Sequence, residues 1–232
     1  MSMELHGLQK LTLLDYPGRV ACTVFLGGCN LRCPYCHNSE LIRPDAPPVT
    51  DSAALLDFLR KRRGLLEGVA ITGGEPLLRD LRHLLREIRA LGYPVKLDTN
   101  GTRPAALAEL LAEGLLDYVA MDVKNSPERY PETVGRPDFD FTPVGESVSL
   151  LLGSNTDYEF RTTAVAQLHD ESSFRGIGAL IRGAKRWYLQ PFVPRDSVPR
   201  QDFTPPDRES LLRYAEILRP FVDSVQLRGL DE

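Results

Sequence analysis

The sequence predicts an α/β protein with a parallel sheet, and three observations carry that reading. Short apolar, β-branched runs alternate with segments of helical period, giving six strand-plus-helix units. Glycine, proline and capping residues fall between these runs, where strands and helices must stop. The composition, 42% hydrophobic and 26% charged over 232 residues, is that of a globular chain able to bury its own core.

Taken in order, residues 20–26 form the first apolar strand, closed by Gly27-Gly28. Thr50, Asp51 and Ser52 supply caps for a helix through Arg63, with Leu55, Leu56 and Leu59 on one face. Residues 69–72 are a second strand stopped by Gly73-Gly74. Leucines from Leu77 to Leu91 then recur at helical spacing until Gly92. Residues 95–99 are the third strand, followed by a helix opened by Pro104 and ended at Gly114. Residues 118–123 are the fourth, with a less regular stretch near 141–152. The fifth, 157–165, leads to a helix near 174–182. The sixth, 187–192, leads to a helix capped by Thr204 with Pro205 at its start, and 222–227 closes the pattern. The Pro-rich stretches 43–48, 125–143 and 194–206 read as ordered surface loops. No domain boundary shows, so one domain is expected over 1–232. The pattern leaves a doubly wound sheet and a partial barrel both open.

The charge balance, 28 Lys+Arg against 32 Asp+Glu, gives a net −4 and no basic field for nucleic acid. No run approaches a membrane span, and residues 1–11 lack the basic-then-apolar order of a signal peptide. A cytoplasmic, reducing setting is expected. The four cysteines are too few for a disulfide scaffold, and three of them lie within eight residues. Cys22, inside the first strand, reads as a small buried hydrophobe.

Side chains alternate across a strand. One face therefore carries Lys96, Asp98 and Asn100; then Asp122 and Lys124; then Glu159, Arg161 and Thr163; then Tyr188 and Gln190. The other face is apolar and must meet the helices. Charges repeated on one face of successive strands point to a ligand-lined cavity, against the plainer alternative of ion pairs filling an interior.

Cys29, Cys33 and Cys36 follow the first strand directly, spaced by three and two residues. Three thiolates so spaced suit either a Cys₃His zinc site with His37 or an iron–sulfur cluster with one open iron. The spacing favours the cluster, because adjacent Cys36 and His37 reach one tetrahedral ion only under strain.

Cys29-x₃-Cys33-x₂-Cys36, with Tyr35 before the last cysteine, resembles the signature of the radical S-adenosylmethionine (SAM) superfamily. Gly73-Gly74-Glu75-Pro76 is similar to that superfamily's GGEP motif. Asp122-Val123-Lys124 resembles the DxK motif of its glycyl-radical-enzyme activases, and Asp15-Tyr16-Pro17-Gly18 and Cys36-His37-Asn38 extend the match. The resemblance is nearest to the activating proteins of anaerobic ribonucleoside-triphosphate reductase, in their longer, pyruvate formate-lyase-activase-like form. It implies a partial (βα)6 TIM-like barrel, a single radical SAM domain with its core at about 19–193 and a C-terminal helix and strand at 204–228.

The resemblance also implies roles. Cys29, Cys33 and Cys36 would hold a [4Fe-4S] cluster whose fourth iron takes S-adenosyl-L-methionine. Gly73, Gly74 and Glu75 would lie at its methionine moiety, and Tyr35 and Asn38 near its adenine. Asp122, Lys124 and Arg161 would contact its methionine or ribose end. Asp98, Thr99 and Asp122 would hold a monovalent cation, and Gln190 stands where such activases can have a histidine. The implied reaction is reductive cleavage of SAM to place a glycyl radical on a partner enzyme. Only Cys22 remains outside the motif, too little for a second cluster, so the electron would come from another protein such as flavodoxin or ferredoxin. Two other readings stand beside this one: a small radical SAM enzyme acting on a metabolite, resembling 7-carboxy-7-deazaguanine synthase, and a zinc-binding interaction protein.

Overall fold

The structure, a computed structural model, describes residues 2–43 and 45–229; Pro44 of the expected 43–48 loop lies outside the described residues. These fall into two compact units. One contains the residues up to Asn30, Glu40–Thr99 and Ala105–Val119. The other contains Leu31–Ser39, Asn100–Pro104 and the residues from Ala120 on.

The first unit holds β1 (Glu4–Leu5), β2 (Gly7–Thr12), β3 (Ala21–Leu26), β4 (Thr50–Asp51), α1 (Ser52–Lys61) and β5 (Gly68–Gly73). α2 (Arg82–Ala90), β6 (Val95–Thr99) and most of α3 (Pro104–Ala112) complete it. β3, β5 and β6 are parallel neighbours, with β2 added antiparallel at the β3 edge. The register aligns Cys22 with Val69 and Val95, and Val24 with Ile71 and Leu97, all fully buried. Leu55 and Leu59 of α1 and Leu85 and Ile88 of α2 are buried with them, each worth about 1.5–3 kcal/mol of transfer free energy. β1 and β2 were not expected, because a short edge strand carries only a weak apolar period.

β7 (Tyr118–Asp122) begins in the first unit and ends in the second. There follow α4 (Tyr130–Thr133), α5 (Thr142–Leu152), β8 (Asp157–Ala164), α6 (Glu171–Leu180), β9 (Trp187–Pro191), α7 (Arg208–Leu218) and β10 (Val225–Leu227). β8, β9 and β10 are parallel neighbours, with Phe160 opposite Trp187 and Thr163 opposite Gln190. Trp187 donates its indole N–H to Thr162 Oγ1 at 3.1 Å and packs edge-on against Phe174 of α6. The succession β3, β5, β6, β7, β8, β9, each followed by helix, is that of a partial (βα)6 barrel.

Three expected elements are corrected. The leucine run from Leu77 to Leu91 is a 3-10 turn, Pro76–Leu78, and then α2. Asp80 accepts the Arg82 backbone N–H at 3.1 Å, a local turn that breaks the period. The last helix is capped by Asp207, which accepts from Ser210 N at 2.7 Å, and not by Thr204. Pro206 keeps residue 205 out of helical geometry, and Thr204 instead pairs with Gln167. The 125–143 stretch, read as loop, contains α4 and a 3-10 turn at Pro127–Arg129. Among the described residues no helix is long and apolar enough to cross a membrane.

Candidate functional site

In the first unit the carboxyl ends of β3 and β5 are knitted by backbone. Gly74 N donates to Leu26 O and Glu75 N to Gly28 O, both at 2.8 Å. Chain returning from the cysteine loop closes on the same place, with Gly28 N donating to Leu41 O at 2.8 Å and Cys29 N to Ile42 O at 3.2 Å. A side chain at Gly73 would meet Leu26 O at 2.2 Å, and one at Gly74 would meet Gly28 O at 2.1 Å. The two glycines are thus demanded by the approach of two strand ends, before any ligand is considered. Gly28, at φ +93°, is different: a Cβ there would stand in open space, beside Cys29.

Glu75 is 1% exposed. Its Oε1 accepts from Leu77 N at 3.0 Å and from Thr99 Oγ1 at 2.9 Å, so the carboxylate caps the 3-10 turn and ties β5 to β6. Asp98 forms an ion pair with Lys96, two residues back on the same strand. Arg79, not singled out from sequence, donates to Gly27 O at 3.2 Å.

In the second unit the rest of the cysteine loop is held by backbone from two sides. Arg32 N donates to Val134 O at 2.9 Å, and Arg200 N to Pro34 O at 3.0 Å. Ser39 Oγ donates to Ser197 O, and Ser197 Oγ to His37 O at 3.1 Å. The Pro-rich stretch 194–206 is therefore a brace for this loop. His37 places Nε2 2.8 Å from Val193 O and stacks on Phe192.

Asp122, Lys124 and Arg161 come together as the alternation predicts. Asp122 accepts from Arg161 Nε at 2.9 Å and from Lys124 Nζ at 3.4 Å. Burial would push the Asp122 carboxyl up, but Arg161 and Lys124 outweigh it and hold it below its ordinary range. Tyr35 is buried, and burial raises its phenol well above 10 although Lys124 opposes the shift. Gln190 donates to Thr163 Oγ1 at 2.9 Å, and Asn38 is half-buried. Glu159, expected on the cavity face, is fully buried and held by both guanidinium nitrogens of Arg228 at 3.1 Å.

Sequence reasoning missed the supports of Lys124. Its backbone N–H donates to Tyr130 Oη at 3.3 Å, and its carbonyl lies 2.7 Å from His169 Nε2. His169 Nδ1 lies 3.1 Å from Val165 N and 3.2 Å from Val165 O, so the ring is held by backbone on both sides. Asn125 ties the same segment to Thr133 and Leu168, each at 2.9 Å. A strand end followed by Asn, with a Tyr five residues on, was the available signal.

The donor set fits an iron–sulfur cluster. Three thiols stand on one short loop, none in a disulfide, with Cys33 7% exposed and Cys29 and Cys36 partly exposed. Three cysteines on one loop are the protein complement of a [4Fe-4S] cluster that keeps one iron open. Cys22 stands apart: burial pushes its thiol up to about 12, an inert core residue.

A family model described as the radical SAM superfamily matches residues 23–142. A Methanocaldococcus jannaschii protein, named as a glycyl-radical enzyme activating enzyme, is 30% identical over 240 residues, covering 100% of this chain and 98% of its own length. The 7-carboxy-7-deazaguanine synthase of Rhodospirillum rubrum is 36% identical over 87 residues, 38% of this chain and 36% of the synthase. Among solved structures, Streptococcus suis SuiB bound to S-adenosylmethionine superposes with a TM-score of 0.67 at 14% identity, over 89% of this chain and 52% of SuiB.

Proposed function

This chain belongs to the radical SAM superfamily, and we propose that within it the protein activates a glycyl-radical enzyme, as an oxidoreductase of one radical SAM domain. The observation that carries the reading is the relation, along essentially the whole of both chains, to the M. jannaschii activating enzyme. Cys29, Cys33 and Cys36 are its cluster ligands. When bound, the [4Fe-4S] cluster supplies the electron for reductive cleavage of S-adenosyl-L-methionine, which makes hydrogen abstraction from a glycine possible.

The chain's own residues bind and orient. Gly28 leaves open space beside the first ligand, and Gly73, Gly74 and Glu75 fix the strand ends behind it. Lys124 and Arg161 flank Asp122 and present a polar surface for the amino-acid or ribose end of SAM. Tyr35 and Asn38 serve the adenine side, and Gln190, held by Thr163, lines the same unit. The partner is a large enzyme with a glycine loop, in our reading anaerobic ribonucleoside-triphosphate reductase. The electron donor is a separate cytoplasmic protein of flavodoxin or ferredoxin type.

A second reading, a small radical SAM enzyme acting on a heterocyclic metabolite, draws on the synthase match, but that match spans only 36% of the synthase. The deciding experiment reconstitutes the protein anaerobically with iron and sulfide, then adds reductant, SAM and a candidate partner. A glycyl-radical resonance with the ribonucleotide reductase and none with a formate-lyase is the expected result. 5′-Deoxyadenosine formed without a radical on either partner would favour the metabolite reading. A colourless protein holding one tight zinc would end both.

A further inference from the structure

β6 carries a lysine inside a sheet. Lys96 has a side chain 2% exposed and sits opposite Ala70 of β5, which in turn sits opposite Thr23 of β3. These short neighbours leave room on that face for the four-carbon stem, while the other face of the sheet is filled by Val69, Ile71, Val95 and Leu97. The stem runs along the strand to the next layer, where the ammonium forms an ion pair with Asp98, itself 17% exposed. A buried ammonium is tolerated only with such a partner, and the compensation is mutual.

The family resemblance implied a monovalent cation on Asp98, Thr99 and Asp122. The residues present do not fit one. Asp98 already faces the Lys96 ammonium, and Thr99 directs its hydroxyl proton to Glu75. Asp122 lies against both Arg161 and Lys124. A sodium or potassium ion arriving at Asp98 would meet a fixed positive charge in a poorly screened interior.

We infer that Lys96 is a built-in cation: its ammonium takes the place of a monovalent metal ion at Asp98, so that this chain orders its site and binds SAM independently of Na⁺ or K⁺. The SAM half of this statement rests on the radical SAM reading above; the electrostatic half rests on β6 alone. Lys96 is a positioning residue, acting on Asp98 and not on the reacting atoms.

The first readout needs no cluster. Thermal unfolding of the cluster-free protein is followed at equal ionic strength in KCl, NaCl and choline chloride. The wild type is expected to unfold at the same temperature in all three. Lys96→Met, which keeps the stem and removes the charge, is expected to unfold several degrees lower in choline and to recover in KCl or NaCl. The second readout is the Kd for SAM of the reconstituted protein in the same salts: unchanged for wild type, weakened about tenfold for Lys96→Met in choline and restored by K⁺ or Na⁺. A wild type that requires K⁺ or Na⁺, or a Lys96→Met protein as indifferent to salt as wild type, overturns the inference. If Lys96→Met folds in no salt, Lys96→Met with Asp98→Asn decides, since the carboxylate needing compensation is gone. That pair is expected to ignore the cation, and a specific K⁺ or Na⁺ response in it overturns the inference. A wild type that binds no SAM in any salt removes the radical SAM reading instead, and the cluster-free comparison still decides the role of Lys96.

Discussion

Gly74 shows how little backbone freedom the strand ends retain. Any Cβ there would sit 2.1 Å from the carbonyl oxygen of Gly28, and backbone cannot step aside as a flexible side chain can. Gly74→Ala is therefore expected to cost at least about 1–3 kcal/mol of overpacking. Thermal unfolding of the cluster-free protein should register this as a drop of several degrees. Gly28→Ala meets no atom and pays only for its positive φ, about 1–2 kcal/mol, so it should fall less. Equal stability of Gly74→Ala and wild type would disprove the close approach. His169 gives a second prediction at this scale. Burial lowers its pKa below 6.5, against smaller opposing contributions from the backbone of Lys124 and Val165. The unfolded chain then takes a proton near pH 6.5 that the folded protein refuses. Stability is complete above that pH and is lost as pH falls through the depressed folded value. Urea unfolding between pH 7.5 and 5.5 should show this decline, and His169→Gln should flatten it; an unchanged slope would exclude His169 as the source. His6, lowered by burial and by Arg79, adds to the same decline, so the slope should not vanish.

Strand alternation grouped the charged residues of β6, β7 and β8 by face, but it could not distribute their tasks. Asp122, Lys124 and Arg161 form a polar cluster where the end of β7 meets the middle of β8, whereas Glu159 and Lys96, on the same faces, belong to internal ion pairs. The plainer alternative, ion pairs filling an interior, holds at Glu159 and Lys96. Glu159 depends on β10, an edge strand whose following residue, Arg228, lays its guanidinium 3.5 Å from the Tyr188 ring and grips the carboxylate with two nitrogens. Arg228→Met should strip both guanidinium hydrogen bonds from a buried carboxylate and cost about 3 kcal/mol. Glu159→Gln combined with Arg228→Met should recover part of that loss. A double-mutant cycle in denaturant measures the coupling, and additivity of the two losses would refute it. Helix limits were less legible than faces, because caps are local contests. Asp80 and Asp207 won theirs through side-chain hydrogen bonds to nearby backbone N–H groups, a choice no hydrophobic period records.

At the scale of the whole molecule, the four cysteines divide three and one. Reconstitution should load one cluster's worth of iron per chain. Cys22→Ala should leave that loading unchanged, since Cys22 is fully buried in β3, while Cys33→Ala should lose it together with 5′-deoxyadenosine formation. Normal turnover by Cys33→Ala would remove the ligand assignment. The order of motifs along the chain was enough to place it in the radical SAM superfamily, since each motif follows a strand and strand ends are where such folds bind ligands. The sequence by itself determined the α/β class, the six strand-plus-helix units, the cysteine loop and the face on which charge gathers, because all of these follow from local periodicity and spacing. Only the tertiary structure decided which charges face one another. It gave Glu75 to a cap, bound Asp98 to Lys96, set His169 and Tyr130 under Lys124 and braced the cysteine loop with residues 197–200. Those choices depend on side chains far apart in sequence reaching a common point, and a one-dimensional pattern carries no record of such distances.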